Sequence, residues 1–176
     1  KGALPAGMAA LANIAGRELN ALSAQDLGFA LGPRLNAAGR LADMHLGIQC
    51  LCSDDADEAQ RLAAQLDAIN RERRELQTDM QEQAMIAVEQ FLQSGATTAA
   101  LPAAVSVFDE TFHEGVVGIV AARLKDRLHR PTFVFAASAA DSQGHILKGS
   151  GRSIAGFHLR DALALVANRS PAVLLR

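Results

Sequence analysis

Leu147-Lys148-Gly149-Ser150-Gly151-Arg152-Ser153 combines two glycines, two hydroxyls and two cations within seven residues. Read as a glycine-rich turn, it lets backbone N–H groups converge, adds hydroxyl donors, and sets an arginine where its fork can meet a phosphate or a carboxylate. An anion site is the functional reading. The bland one is a tight turn between strand and helix in which the glycines serve geometry alone, and the two readings weigh about equally. The spacing is not that of a Walker A loop, which needs four residues between its glycines and a Gly-Lys-Ser/Thr ending. A second group, His113-Glu114-Gly115-Val116-Val117-Gly118, stands just ahead of an expected helix, where negative charge on a ligand is favoured and His113 would donate to a phosphate or move a proton. A lone histidine beside a turn is nonetheless more often structural. Arg34, Asn36 and Arg40 lie in a third stretch bounded by Gly32, Pro33 and Gly39, facing a ligand or locking two domains together.

Charge agrees with an anion site near the end of the chain. The 176 residues hold 17 Lys+Arg and 19 Asp+Glu, a formal net of −2. Residues 142–176 carry five basic side chains against Asp161, whereas residues 1–141 hold twelve basic and eighteen acidic ones. With no Trp, no Tyr and 7 Phe, an autonomous platform that stacks bases on aromatic rings is excluded. Hydrophobic residues make up 49%, which excludes a disordered tail or a linker. Cys50 and Cys52 are too close for an ordinary disulfide, and His45, His113, His129, His145 and His158 are scattered, so no metal site and no catalytic residue is assigned. These cysteines suit a reducing, cytoplasmic setting, and no leader or membrane-spanning run is expected. The missing initiator methionine suggests a piece of a longer chain.

These groups need elements to hold them. Residues 4–22 read as one buried helix tolerating Gly7 and Gly16, Ser23 as the cap of a short helix reaching Leu31, and Leu31 to Leu41 as a structured loop or pair of turns. From Asp54 to about Gln93 apolar residues recur every three or four positions without Gly or Pro, which predicts one long amphipathic helix with an acidic first turn. Its centre, Asn70-Arg71-Glu72-Arg73-Arg74-Glu75, is polar all round and is expected to face solvent, with ion pairs at helical spacing. Gly95 ends it, and 96–104 is a small-residue loop. Beyond it, Val105 to Phe108, Thr132 to Ala136 and His145 to Leu147 read as strands, 141–144 as a turn, and Val116 to Leu128 and Leu159 to Ala167 as helices. The fold class is therefore α/β with a small mixed sheet.

Three blocks together resemble the single-stranded-DNA-specific exonucleases of the DHH phosphoesterase superfamily. They are Asp26 to Leu41, His113 to Lys125, and Leu147 to Ile154 followed by Gly156 to Leu163. The resemblance implies the end of a DHH catalytic domain over 1–45, a connecting helix over 46–94, and a substrate-binding domain over 95–176 that is incomplete at its C-terminus. It also implies a metal-dependent 5′-to-3′ exonuclease acting in DNA repair and recombination, whose manganese or magnesium ligands lie outside this segment, so that the segment alone is inactive. Lys148, Gly149, Ser150, Gly151, Arg152, Ser153 and His113 would grip the strand and its 5′ phosphate, and Arg34, Asn36 and Arg40 would lie at the cleft between domains. The implied partners are single-stranded DNA, a single-strand-binding protein and a helicase. An oligoribonucleotide or cyclic-dinucleotide phosphodiesterase of the same superfamily is the alternative. A non-enzymatic helical adaptor, with 54–93 as its rod, is the reading from another class.

Overall fold

The computed structural model describes residues 4–93, 102–141 and 145–174. The expectations at Gly95, over most of 96–104 and at 142–144 lie outside the described residues. The chain divides into two compact units, Lys1–Leu76 and Gln77–Arg176, and the division falls inside one long helix.

The first unit is helical. Helix α1 (Ala6–Ile14) is shorter than the 4–22 reading, because Gly16 takes φ +66° and turns the chain. Gly16 N–H donates to Asn13 O at 3.0 Å and Arg17 N–H to Ala12 O at 2.9 Å, the paired bonds of a Schellman C-cap. Ser23 caps as expected. Its Oγ accepts from Asp26 N–H at 3.2 Å, and Asp26 Oδ2 accepts first from the Ser23 hydroxyl at 2.7 Å and then from Ser23 N–H at 3.0 Å, two bonds that hold the Asp26 carboxyl below its ordinary range.

A short helix α2 (Ala24–Asp26) runs through a wide π turn (Leu27–Leu31) into α3 (Gly32–Leu41). This corrects the loop reading of Leu31 to Leu41. Proline breaks a helix because it lacks an N–H and strikes the carbonyl four residues back. Here the wide turn closes with Gly32 N–H on Leu27 O, so Pro33 begins α3 rather than interrupting it.

Helix α4 (His45–Cys52) follows, and the long helix α5 (Ala56–Gln93) begins where Asp55 Oδ1 accepts from Asp57 N–H at 2.8 Å and Glu58 N–H at 3.1 Å. The 38-residue helix is the one the periodicity predicts, with Asp57 and Glu58 in its first turn. Within 46–94 it therefore occupies only the part from Ala56 onward. Leu11, Leu31, Cys50, Ala59, Ala63 and Leu66 fill the core of this unit, small residues letting helices approach closely. Burial pushes the Cys50 thiol up, whereas Cys52 is exposed; both are free.

The centre of α5 also departs from expectation. Asn70 is 1% exposed, and its Oδ1 accepts from Arg73 Nη2 at 3.3 Å. Burial lowers the Arg73 pKa, helped by Arg74 and Arg40. Arg71, Glu72, Arg74 and Glu75 are exposed, and Arg71 pairs with Asp67 one turn back at 3.4 Å. Polar composition thus concealed one inward-facing position.

The second unit carries a sheet ordered β1 (Val105–Phe108), β2 (Thr132–Ala137), β3 (Leu147–Arg152). β1 and β2 are parallel, joined through helix α6 (Val117–Leu128), and β3 runs antiparallel to β2. Alternation sends Val105, Val107, Val134 and Ala136 inward, against Val116, Val120, Ala121 and Leu124 of the α6 segment and Met80, Ala84 and Val88 of α5. Each large apolar side chain so buried contributes about 1.5–3 kcal/mol of transfer free energy. Helix α7 (Leu159–Arg169) closes the unit. No helix among the described residues is long and apolar enough to cross a membrane.

Candidate functional site

Leu147 to Arg152 is a strand, not a turn, and the reason lies on the neighbouring strand. β2 presents Phe133 and Phe135 on the face away from α6, their rings 6.3 Å apart and inclined by 14°. Gly151 pairs with Phe133 and Gly149 with Phe135. A Cβ at Gly149 would fall 2.4 Å from the Phe135 ring, and one at Gly151 would fall 2.7 Å from that of Phe133. The rings therefore lie directly over the two glycines, the arrangement by which aromatic residues cover glycine in a strand.

The same pairing fixes where the polar residues go. Lys148, Ser150 and Arg152 share the opposite face, opposite Ala136, Val134 and Thr132, in a row with roughly 6.7 Å between successive positions. They lie beside the start of α6. Arg152 Nη1 donates to Ser150 Oγ at 2.8 Å and to Gly151 O at 2.9 Å. Lys148 Nζ donates to Glu114 Oε1 at 3.2 Å, and Glu114 Oε2 accepts from Ala139 N–H at 3.3 Å. Chiefly through the Lys148 bond, Glu114 is held below its ordinary carboxylate pKa. Because Ser150 Oγ accepts from Arg152, its own proton is directed elsewhere and is available to an incoming acceptor.

His113 is placed by a tightly bonded turn. Asp109 Oδ1 accepts from Thr111 N–H at 2.9 Å and from Thr111 Oγ1 at 2.6 Å, Phe112 is buried, and His113 N–H points at Met80 Sδ at 3.3 Å. Gly115 N–H donates to His113 Nδ1 at 3.0 Å. That bond assigns the neutral ring proton to Nε2, leaving an exposed donor. α6 itself starts at Val117 after Val116, and no side chain caps it.

Other residues of the sequence reading sit apart from this row. Ser153 Oγ donates to Phe157 O at 2.6 Å and serves the turn into α7. Gly149 and Gly151 contribute strand backbone. In the first unit, Arg34 is engaged by its own helices: Nε and Nη2 reach Asp67 Oδ1 of α5 at 2.8 Å each, and Nη1 donates to Ala30 O at 2.6 Å. Asn36 and Arg40, one helical turn apart, share an exposed face of α3. Among the described residues no three His, Cys, Asp or Glu side chains gather into a metal-binding set.

Sequence reasoning missed Glu114 as the partner of Lys148, since the two are 34 residues apart, and it missed the packing of Gly118 against β3. A glycine in the first turn of a helix, where it weakens the helix, was the available signal for the second.

Residues 100–171 match the DHHA1 domain family. The single-stranded-DNA-specific exonuclease RecJ of Dickeya dadantii is 48% identical over 97% of this chain, and that of Escherichia coli 46% identical over 97%. In both cases the chain spans 28% of the relative's length. Among solved structures, RecJ from Thermus thermophilus in complex with Mg2+ matches with a TM-score of 0.74 at 30% identity, over 97% of this chain and 24% of that one. An exonuclease RecJ bound to manganese matches with a TM-score of 0.70 at 29% identity, over 92% of this chain and 36% of that one.

Proposed function

Since the chain belongs to the RecJ family and carries a DHHA1 domain, we propose that it supplies the strand-holding part of a single-stranded-DNA exonuclease that works from the 5′ end. The observation that carries this reading is the Ser150–Arg152 pair on the β3 face beside the start of α6. A terminal phosphate monoester carries about −1.5 to −2 charge at neutral pH, more than an internal diester, so the Arg152 guanidinium and Ser150 hydroxyl, flanked by a Lys148 ammonium already paired with Glu114, prefer the end of a strand to its middle. Arg152 forks onto two phosphate oxygens, Ser150 donates to the third, and Lys148, two residues before Ser150 and paired with Glu114, flanks them. His113 offers Nε2–H to the sugar-phosphate backbone. Holding the terminal phosphate fixes how far the first phosphodiester stands from the hydrolytic centre, and that gives stepwise removal from one end.

Manganese or magnesium would supply the activation of water in the complete enzyme. The described residues bring together no donor set that fits such an ion, and in this reading its ligands lie outside the segment. In this reading residues 1–45 form the end of the catalytic domain, 46–94 connect, and 95–176 hold substrate. The setting is cytoplasmic DNA repair and recombination, with a single-strand-binding protein and a helicase as neighbours.

The test is hydrolysis by the full-length protein of 5′-phosphorylated single-stranded DNA, the same strand with a 5′ hydroxyl, short RNA, and cyclic dinucleotides. Faster hydrolysis of the phosphorylated DNA, from its 5′ end, is expected. Preference for short RNA or a cyclic dinucleotide would instead place the chain with the other phosphodiesterases of the superfamily.

A further inference from the structure

Gly118 is the second residue of α6, a position where glycine weakens a helix and where nothing in the backbone demands it. Its surroundings supply a reason. A Cβ built there would lie 3.0 Å from Arg152 Nη2, 3.1 Å from Ser150 Oγ and 3.6 Å from Ser150 Cβ. Those are two of the three polar side chains on this face of β3, and they are bonded to each other at 2.8 Å. Strand register sets Ser150 opposite Val134 and Arg152 Nη1 is also held on Gly151 O, so a side chain at 118 has to be met by a shift of a few tenths of an ångström in the exposed guanidinium.

We propose that Gly118 is a positioning residue for terminal-phosphate recognition: by having no side chain it lets Arg152 Nη2 come close to the first turn of α6 while Nη1 stays bonded to the Ser150 hydroxyl. The inference rests on the reading of Ser150 and Arg152 as the phosphate site. A methyl group at 118 shifts the guanidinium by a few tenths of an ångström and loosens its bond to the hydroxyl, so that the two converge less well on one phosphate. Strands that lack the terminal phosphate make no use of this pair and are insensitive to the change. Gly118 therefore sets selectivity for the strand end and leaves the hydrolytic step alone.

The experiment uses the full-length protein, a 5′-phosphorylated oligodeoxynucleotide and its 5′-hydroxyl counterpart, and the variants Gly118→Ala, Arg152→Ala and the two combined. For Gly118→Ala we expect KM on the phosphorylated strand to rise about tenfold with kcat nearly unchanged, and both constants on the hydroxyl strand to stay as in the parent. Turnover of the hydroxyl strand reports that the variant is folded, and alanine is the better helix former. The combined variant should be no worse than Arg152→Ala alone, since Gly118 acts through that guanidinium. Parent-like discrimination by Gly118→Ala, equal losses on both strands, or an additive loss in the combined variant would overturn the proposal. Should Arg152→Ala itself leave discrimination intact, it is the phosphate-site reading that fails.

Discussion

Arg152 Nη1 and Ser150 Oγ, two positions apart on one face of β3, meet at 2.8 Å, so the strand presents a guanidinium and a hydroxyl as a single polar surface. Alternation along the strand brings them to the same side, and the Phe133 and Phe135 rings occupy the other. In the full-length protein, Arg152→Ala should weaken binding of a 5′-phosphorylated strand by about 1–3 kcal/mol, the size of a charge-assisted contact. That is roughly 5- to 150-fold in Kd, readable by fluorescence anisotropy. Arg152→Lys should recover only part of the loss, because an ammonium does not fork.

Gly149→Ala puts a methyl group into the Phe135 ring and should destabilise the second unit by about 1–3 kcal/mol, the usual cost of overpacking. Thermal unfolding measures it. A combined Gly149→Ala and Phe135→Leu variant should recover stability. If it does not, the ring is not what excludes the side chain.

Glu114 gives the site a pH dependence of known sign. Its carboxyl is held below the ordinary value of 4.5, first by the Lys148 bond, so its contribution to stability is fully present above that value and disappears as pH falls through the lower folded value. The Lys148 ammonium is 61% exposed, so the ion pair contributes no more than about 1 kcal/mol. Unfolding followed from pH 7 down to pH 2 should show Glu114→Gln converging on the parent at the acid end. A constant offset across that range would refute the account.

Arg34 should behave as a structural residue. Its guanidinium, 12% exposed, ties α3 to Asp67 of α5 and to the Ala30 carbonyl. Arg34→Ala leaves Asp67 with Arg71 as its remaining pair in this group, and should cost about 1–3 kcal/mol of stability in denaturant unfolding. Kd for the strand, measured where the variant is folded, should be unchanged.

Regular repetition was what made elements legible. The long helix, the β1 and β2 strands, α6, α7 and the Ser23 cap all follow from periodicity or from local capping chemistry, which act over a few residues. What stayed hidden depends on partners distant in sequence. Pro33 and its neighbouring glycines look like a loop until the π turn ahead of them is seen. Gly149 and Gly151 look like a bend, although their spacing of two matches that of Phe133 and Phe135 sixteen residues earlier, and that coincidence was the available clue to a strand. At the candidate site the residue types were readable and their arrangement was not. Ser150 and Arg152 were picked for their chemistry, whereas Glu114 and Gly118 matter only because the fold brings them to the same face.

β3 is the last strand of its sheet among the described residues, with its outer edge beyond β2 unpaired. Such an edge is a template for another β strand, and positive charge along it is one way proteins discourage that pairing. On the proposed reading of this row, Lys148 and Arg152 would have a second duty, discouraging strand pairing between like molecules as well as drawing a phosphate in. Both duties would require the positive charge to remain exposed, so a mutation that neutralises the pair should loosen the proposed hold on a strand end and at the same time open the six residues of β3 to self-association.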